Sequence, residues 1–428
     1  MTDAIRAGAD GSEEVGLDIL YLSQYFYPEQ FLNNHVAKAL AAEGHRVEVV
    51  CCVPNYPAGR FFPGYGNTLR IDERWSGIGI HRVFTIPRGT RAIQLVANYL
   101  TYPLAASWRI LWLGRRRGAI SFVSMPSPLF QALAGIFAKR MWKMPTVYWV
   151  QDIWPDSAVI TLGIHNRVVI RVLEGICGWI YRQADLVMVQ SDGFHGSIAQ
   201  YGVPPERIVT LPNCAPDTFH PIGSGAIPTQ IRSLIPRNRR IIMFAGNIGA
   251  SQDFDTIIDA AALLPHESDV LIVVVGSGRD EERVRQKVTH EQLEHRFLFL
   301  GRHSESEMPA FFACADAMLV SLRNEPIFAL TVPSKVQAYM ACGKPMLASL
   351  AGEGAAIIER SGAGIVVPPS APAELGRAMA RIASMTEGQL EEMGRNARRT
   401  YEDRYSLRTV VATLVCQLRA VLAASKRV

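Results

Sequence analysis

Residues 240–278 read RIIMFAGNIGASQDFDTIIDAAALLPHESDVLIVVVGSG, and this stretch decides the fold class. It starts with an apolar run typical of a buried strand, which ends in a glycine loop. The residues DFDTIIDAAALL then carry apolar side chains at helical spacing, and DVLIVVV is a second buried strand. Strand, helix and strand within about 40 residues predict a βαβ unit with parallel strands and a right-handed crossover.

The same alternation continues on both sides of this stretch. Three strand-and-helix repeats precede it, and four further strand patterns separated by helices follow it. Between the two series, residues 214–240 are rich in Pro and Gly and predict a linker with one short helix. The sequence therefore predicts an α/β protein with two consecutive doubly wound, Rossmann-like domains.

Composition agrees with two buried cores and limits the function. The chain has 428 residues, of which 49% are hydrophobic and 19% charged, and its net charge is +5. A mild positive charge fits an anionic ligand or an anionic membrane surface. Basic and aromatic residues are not interleaved as in a nucleic-acid platform, so we expect no nucleic-acid partner. We expect all seven cysteines to be buried thiols.

The N-terminal end of the chain and one apolar segment indicate where the protein is located. Residues 1–16 lack the apolar core of a secretory signal, so we expect a disordered tail and a cytoplasmic protein. Residues 93–114 are long enough to span a bilayer but include Gln94 and Arg109, which disfavour insertion. With Arg115, Arg116 and Arg117 behind it, this segment fits either a helix on the inner membrane face or a helix buried in the core.

In doubly wound sheets, ligands bind beyond the carboxyl ends of the strands. In the second predicted domain, Gly246 and Gly249 would leave backbone N–H groups open to a phosphate, although glycines also simply turn the chain. Lys335 precedes a helix start and fits an anion such as a diphosphate, the alternative being a solvated lysine. The GSG at Gly276 is a weak dinucleotide signal. Arg302 lies in another strand-end loop.

In the first predicted domain, Gln24, Tyr25 and Glu29 follow the first strand, and Asn55 follows the second. Asp152 lies beside Trp154 at a strand-to-helix break, where a carboxylate could accept a sugar hydroxyl or its proton. The alternative is that Asp152 caps a helix. The sequence has no GxSxG, no GxxxxGK[ST], no HExxH and no DxD-type carboxylate pair in a strand-end loop that would hold a metal, and we predict no metal and no cofactor.

These motifs, in this order, resemble the GT-B glycosyltransferases of family 4, in particular the bacterial subgroup that builds exopolysaccharide, capsule and O-antigen repeat units. The resemblance covers about residues 17–422. The segments that carry it are LYLSQYFYPE, GHRVEVVCCVPNYPAG, VYWVQDIWPD, LPN, FAGNIGASQDFDTIIDAA and VPSKVQAYMACGKPMLASLAGEGAAIIERSGAGIVV. It implies retaining, metal-independent transfer of a sugar from a nucleotide-diphosphate donor, with UDP favoured, in a cleft between two facing domains.

Carried over by position, the resemblance assigns roles to the candidates. Asp152 and Lys335 become the catalytic residues. The donor side comprises Gly246, Asn247, Gly249, Gly276, Arg302, Glu325, Ser334, Lys335 and Glu353, and the acceptor side comprises Gln24, Tyr25, Asn55 and Trp154. The family's E-x7-E pair is missing, because Leu330 and Ala338 occupy its two positions. Glu353 or Glu359 is then the candidate to replace the second acid, and Glu325 matches the first acid less well.

The resemblance also sets the expected organisation and partners. We expect an acceptor-binding domain at 17–222, a nucleotide-sugar-binding domain at 223–405, and a helix at 406–428 that crosses back to the first domain. The expected acceptor is a polyprenyl-diphosphate-linked oligosaccharide at the cytoplasmic membrane face. Two alternatives stay open, a nucleotide-sugar 2-epimerase and a non-enzymatic scaffold of a polysaccharide assembly complex.

Overall fold

The computed structural model describes residues 16–89, 92–125, 127–162 and 164–426. Its contacts group the chain into two units. One runs up to Tyr148 and includes the chain from Gln417 onward, and the other covers Trp149–Cys416. The predicted domain boundaries after 222 and 405 stay predictions. The predicted tail lies, apart from Gly16, outside the described residues.

Eight strands form the first sheet, in the order β3-β4-β2-β1-β5-β6-β7-β8. The strands β1, β2, β4 and β5 pair in parallel, whereas β3 is antiparallel to β4. The bounds are β1 Asp18–Leu22, β2 Arg46–Cys52, β3 Arg70–Trp75, β4 Ile78–Val83, β5 Ile120–Met125, β6 Thr146–Val150, β7 Leu186–Val189 and β8 Ile208–Thr210. The helices of this part of the chain are α1 Leu32–Ala42, α2 Ala92–Leu113, α3 Ala132–Trp142, α4 Asp156–Leu162, α5 Arg167–Arg182 and α6 Phe194–Ala199.

The β3–β4 hairpin is an addition that the sequence reading missed. Ser76 and Gly77 join the two strands with φ angles of 50° and 82°. Positive φ at both central residues is the type I′ turn that two-residue hairpins favour, because its twist matches that of the strands. The Ser-Gly pair between two alternating runs was the signal for it.

Six parallel strands form the second sheet, in the order β11-β10-β9-β12-β13-β14. Their bounds are β9 Arg240–Ala245, β10 Val270–Val275, β11 Phe297–Gly301, β12 Ala317–Ser321, β13 Met346–Ser349 and β14 Gly364–Val367. The helices are α7 Thr229–Ser233, α8 Phe254–Ala262, α9 Glu281–His290, α10 Met308–Ala313, α11 Pro326–Ala329, α12 Ser334–Ala341, α13 Glu353–Ser361, α14 Pro372–Ser384, α15 Glu387–Thr400 and α16 Leu407–Ser425. The predicted class, α/β with two Rossmann-like sheets, is confirmed.

Alternating side chains of the second sheet enter two separate cores. On β9, Met243 belongs to one hydrophobic cluster and Phe244 to the other, and Val273 and Val274 divide in the same way on β10. A strand buried on both faces needs apolar residues at every position, which explains the unbroken runs in the sequence. Burying each such side chain stabilises the fold by about 1.5–3 kcal/mol, so the ends of these strands are firmly held.

The C-terminal helix and the cysteines need separate comment. Among the described residues, α16 alone is long and apolar enough to cross a membrane, a property that core helices share. Its side chains at Val411, Leu414 and Leu418 are fully buried in the protein.

All seven cysteines are free, but the prediction that all are buried is wrong, because Cys416 is exposed and Cys314 only half-buried.

Candidate active site

The strand β9 ends in a glycine loop that Lys335 covers. Gly246 has a φ of 133°, and its N–H donates to the carbonyl oxygen of Val275 at 2.8 Å. A Cβ atom at this position would lie only 2.7 Å from Cε of Lys335. Glycine is therefore required both by the backbone conformation and by the close passage of the lysine.

Lys335 is the second residue of α12, and its ammonium group has few partners. It donates to Oε1 of Gln252 and lies 3.9 Å from the centroid of the Phe244 ring. Among the described residues, no carboxylate forms an ion pair with it. Burial of this uncompensated charge lowers the pKa of Lys335 to about 7. A cation held in this way at a helix start is suited to an anionic ligand.

Tyr339 fixes the position of Lys335 relative to the glycine loop. It lies one turn further along α12, on the same face as the lysine. Its hydroxyl donates to the carbonyl oxygen of Ala245 and accepts from the N–H of the same residue, both at 3.1 Å. The helix is thus attached to the last residue of β9, immediately before Gly246. The sequence reading missed this role of the tyrosine.

The second glycine loop packs against the first. A Cβ on Gly276 would lie 1.9 Å from the carbonyl oxygen of Gly246, and one on Gly278 would lie 2.1 Å from that of Ile248. The N–H of Ile248 also donates to the carbonyl oxygen of Ser277 at 3.0 Å. The GSG sequence is therefore explained by close backbone packing, and through it Gly276 shapes the loop that carries Asn247 and Gly249.

Other predicted donor-side residues are accessible around these loops. Asn247, Arg302, Glu325 and Ser334 are exposed, and Ser334 is the first residue of α12. Glu325 precedes α11 in an extended conformation, with its N–H donating to the carbonyl oxygen of Arg323 at 2.9 Å. The structure thus leaves the side chains of these four residues free to reach a ligand.

Glu353 lies beside Leu330, which occupies the first position of the missing acid pair. Both residues contact the space beside Gly193. A Cβ atom added to this glycine would lie 3.1 Å from Cγ of Glu353 and 3.1 Å from the carbonyl oxygen of Leu330. The same carbonyl oxygen accepts a hydrogen bond from the hydroxyl of Ser191. Glu353 is half-buried at the start of α13. A carboxylate is therefore available next to the position where the first acid is absent.

The QDIWPD segment separates into an accessible carboxylate and a buried anchor. The side chain of Asp152 is exposed at the surface. Neighbouring protein atoms nevertheless displace part of the water around its carboxyl, and this desolvation raises the pKa of Asp152 to about 6. Asp152 does not cap α4, which begins at Asp156, so the capping alternative is wrong. Trp154 is buried, and its backbone N–H and carbonyl oxygen bond to the hydroxyl of Tyr181 at 3.1 and 3.2 Å. The tryptophan therefore anchors the segment and leaves Asp152 available for chemistry.

The three predicted acceptor-side residues near β1 and β2 are buried, which corrects their expected contacts. Gln24 Nε2 and the Tyr25 hydroxyl both donate to Oδ1 of Asn98, at 2.8 and 3.0 Å. Asn55 Nδ2 donates to the carbonyl oxygen of Val53 at 2.8 Å. These side chains hold their loops in place, and contact with an acceptor would involve other atoms of the same loops.

Glu29, which the sequence offers as a candidate in the loop after β1 without a defined role, joins two of these loops. Its carboxylate accepts N–H groups of Phe26 at 3.2 Å, Asn55 at 2.8 Å and Tyr56 at 2.7 Å. Burial raises the pKa of Glu29 to about 7, against the opposing effect of these three donors. One side chain therefore connects the loop after β1 to the loop after β2.

Within the described part of the chain, no group of three or more His, Cys, Asp and Glu side chains is arranged to hold a metal ion.

Two family models match the chain in sequence. The model described as "Glycosyl transferase 4-like domain" matches residues 33–214, and "Glycosyl transferases group 1" matches residues 228–400. Together they account for most of the chain and include Asp152, Gly246 and Lys335.

Curated relatives are similar over about two thirds of the chain. The probable glycosyltransferase WbjE of Pseudomonas aeruginosa is 26% identical over 290 residues, which are 65% of this chain and 69% of that protein. The putative colanic acid biosynthesis glycosyl transferase WcaI of Escherichia coli strain K12 is 22% identical over 303 residues, covering 69% of this chain and 73% of the relative.

Solved structures share the fold over nearly the whole length. Sucrose-phosphate synthase of Thermosynechococcus elongatus superposes with a TM-score of 0.71 at 17% identity, covering 95% of this chain and 100% of that one. Alr3699/HepE of Anabaena, solved in complex with UDP and glucose, gives 0.68 at 18% identity, covering 94% and 99%. At these identities, the likeness concerns the fold alone.

Proposed function

Because the chain belongs to the glycosyltransferases of family 4, which have the GT-B fold, we propose that it transfers a sugar from a nucleotide-diphosphate donor to a lipid-linked oligosaccharide. The curated relatives support a role in the synthesis of a bacterial surface polysaccharide, since WcaI is described as a colanic acid biosynthesis enzyme. UDP is the favoured nucleotide, because HepE, which shares the fold, has been solved with UDP and with UDP-glucose.

The observation that carries the donor assignment is the ammonium group of Lys335 over Gly246. A diphosphate placed there would meet a cation without a carboxylate partner, next to a glycine where the backbone can approach closely. Transfer builds negative charge on the departing nucleotide diphosphate. A preorganised cation at that point stabilises the transition state more than the ground state.

In this proposal the reaction retains the anomeric configuration and needs no metal ion. The bond from the anomeric carbon to the diphosphate oxygen breaks, and the acceptor oxygen bonds to the same face of that carbon. The proton of the acceptor hydroxyl moves to the departing diphosphate. Asp152 would position a hydroxyl of the reacting sugars, and with a pKa of about 6 its carboxyl group is still mostly ionised at pH 7.

Glu353 is the carboxylate that we assign to the donor sugar. It lies next to Leu330, so it would take the place of the first missing acid, rather than that of the second at Ala338. Its position at the start of α13 leaves the carboxylate half-buried, where hydrogen bonds to sugar hydroxyls are stronger than in open water.

The experiment that tests the function combines binding with turnover. Thermal unfolding of the purified protein is measured with a panel of UDP- and GDP-sugars, because a ligand that binds the folded state raises the melting temperature. The donor that gives a shift is then incubated with lipid extracts, and release of the nucleotide diphosphate is followed. A protein that binds no nucleotide sugar, or that isomerises the donor without transfer, does not have this function.

We also propose that α2 rests on the inner face of the cell membrane. Its exposed apolar side chains include Ile93, Leu104, Trp108 and Trp112, at 64–77% exposure. Between Glu73 and Asp152 the sequence has eleven Lys and Arg residues and no Asp or Glu, although Arg82, Arg109 and Arg116 pair with acids outside this segment. An apolar helix surface in a strictly basic segment suits the anionic cytoplasmic leaflet.

Co-sedimentation with vesicles tests this attachment. The double variant Trp108→Ser, Trp112→Ser should lose binding to phosphatidylglycerol vesicles and keep its response to the donor. Leu263→Ser, which removes an apolar side chain that directly follows α8 and is 61% exposed, is the matched control and should bind vesicles normally. Equal binding by both variants would refute the assignment of α2.

A further inference from the structure

Helix α5 presents apolar side chains to solvent, although an amphipathic helix normally turns them inward. Val168, Val172, Ile176 and Trp179 are 67, 56, 40 and 37% exposed. Their spacing of four, four and three residues places them on one stripe. The helix is buried only near its C-terminal end, at Cys177, Gly178, Ile180 and Tyr181. Most of its length therefore lies on the surface with an apolar stripe that is partly exposed.

A depression of about 650 Å³ opens beside this stripe. Residues of α5 and of the segment 200–202 line it, among them Gly175, around which an added Cβ would have no neighbour within 4 Å. Arginines stand along it at Arg171 and Arg182. The second donates to the carbonyl oxygen of Tyr201 at 2.7 Å, which holds its guanidinium in place.

From this geometry we propose that α5 and its depression bind the lipid diphosphate of the acceptor, with the isoprenoid chain on the apolar stripe and the phosphates at Arg171 and Arg182. This inference rests on the proposed function and gives the acceptor its binding site. Helix α5 has a net positive charge, with Arg167, Arg171 and Arg182 against Glu174, and this charge is complementary to a diphosphate although Asp156 also lies near the depression. Arginine binds phosphate oxygens through two N–H groups at once.

The depression adjoins the candidate catalytic segment within the same unit. The ring of Tyr201 in its lining stacks on Tyr181, with centroids 5.6 Å apart. The hydroxyl of Tyr181 in turn bonds to the backbone of Trp154. Asp156, the last residue of QDIWPD, lies near Glu174 of the lining. Burial and the negative charge of Glu174 both raise the pKa of Asp156. A lipid diphosphate bound here would thus present its attached sugar near Asp152.

The test uses the whole protein and three kinds of vesicle. These contain phosphatidylcholine alone, phosphatidylcholine with geranylgeranyl diphosphate, or phosphatidylcholine with phosphatidylglycerol at the same surface charge. Arg171→Glu and the double variant Val172→Ser, Ile176→Ser are compared with Arg377→Glu and Leu263→Ser, which change an exposed side chain of α14 and one that directly follows α8. Thermal shifts with the nucleotide-sugar donor verify that each variant is folded.

Arg171→Glu should weaken binding to the geranylgeranyl diphosphate vesicles about tenfold or more and leave binding to the other two vesicles unchanged. The double variant should also bind these vesicles more weakly, and the two controls should behave like the unaltered protein. Equal binding by all variants, or an equal loss on the phosphatidylglycerol vesicles, would overturn the proposal. Sugar transfer that proceeds normally in Arg171→Glu would overturn the acceptor site alone. Diphosphate binding by a protein that transfers no sugar would overturn the proposed function instead.

Discussion

The ammonium group of Lys335 lies 3.9 Å from the centroid of the Phe244 ring, directly beside the glycine loop at the end of β9. The ring and the oxygen of Gln252 solvate the charge in part, but neither neutralises it. The free protein therefore has a partly desolvated amine, protonated below pH 7, at the point where we expect the donor diphosphate. This relationship gives the first two predictions.

Replacing Lys335 by alanine should weaken nucleotide-diphosphate binding by about 1.5–3 kcal/mol, or roughly ten- to a hundredfold, because a charge-assisted hydrogen bond is lost. Calorimetric titration with UDP measures the change. Lys287→Ala is the matched control, since that lysine pairs with Asp255 and Asp259 away from the glycine loop. Similar affinities for both variants would remove Lys335 from the donor site.

Donor affinity should fall as the pH rises above 7. The pKa of Lys335 is lowered from 10.5 to about 7, so between these values the free protein holds the amine mainly neutral. A bound diphosphate favours the ammonium form, and the binding reaction must then supply a proton. We expect up to about tenfold weaker binding per pH unit in this range. The slope should disappear in Lys335→Ala, and a slope that persists there would locate the titrating group elsewhere.

Tyr339→Phe should destabilise the protein by about 1–3 kcal/mol, because the N–H and carbonyl oxygen of Ala245 lose a buried partner. Donor affinity should fall as well, since α12 is no longer attached to β9. Urea unfolding and UDP titration measure the two effects. Tyr401→Phe, whose hydroxyl bonds to Ala215 at 3.3 Å, should reduce stability and leave UDP affinity unchanged.

Gly276→Ala should be strongly destabilising. Its φ of 139° strains any other residue, at a cost of about 1–3 kcal/mol, and the added Cβ would lie 1.9 Å from the carbonyl oxygen of Gly246. Gly388→Ala is the matched control, because this glycine lies in α15 with open space around it and should be neutral or slightly stabilising. Equal melting temperatures for the two variants would contradict the close packing of the glycine loops.

Asp152→Asn should lower kcat more than it changes KM for the donor, because the carboxylate acts on the reacting sugars. The pKa of Asp152 is raised to about 6, so activity of the unaltered enzyme should decline as the pH falls through this value and the group becomes protonated. Steady-state rates between pH 5 and 8 measure the decline, which should be absent from the variant. An unchanged pH profile would assign that decline to another group.

The sequence predicts those parts of the fold and of the site that leave a pattern in neighbouring residues. The strands of the second sheet follow from unbroken apolar runs, and Lys335 follows from its place before a helix. The hydrogen bonds of Glu29 and Asn98 could not be predicted in this way, because their partners are distant in sequence and close only in the folded chain. Periodicity likewise shows that α5 is amphipathic, but not that its apolar stripe is partly exposed.

The carboxylate of Glu29 has a consequence for redesign of the enzyme. It holds N–H groups from the loop after β1 and from the loop after β2 at the same time. A loop grafted from a relative would present different amide positions to this carboxylate and leave a buried charge without its donors. Attempts to change acceptor preference should therefore transplant residues 23–29 and 53–57 together, as a single cassette.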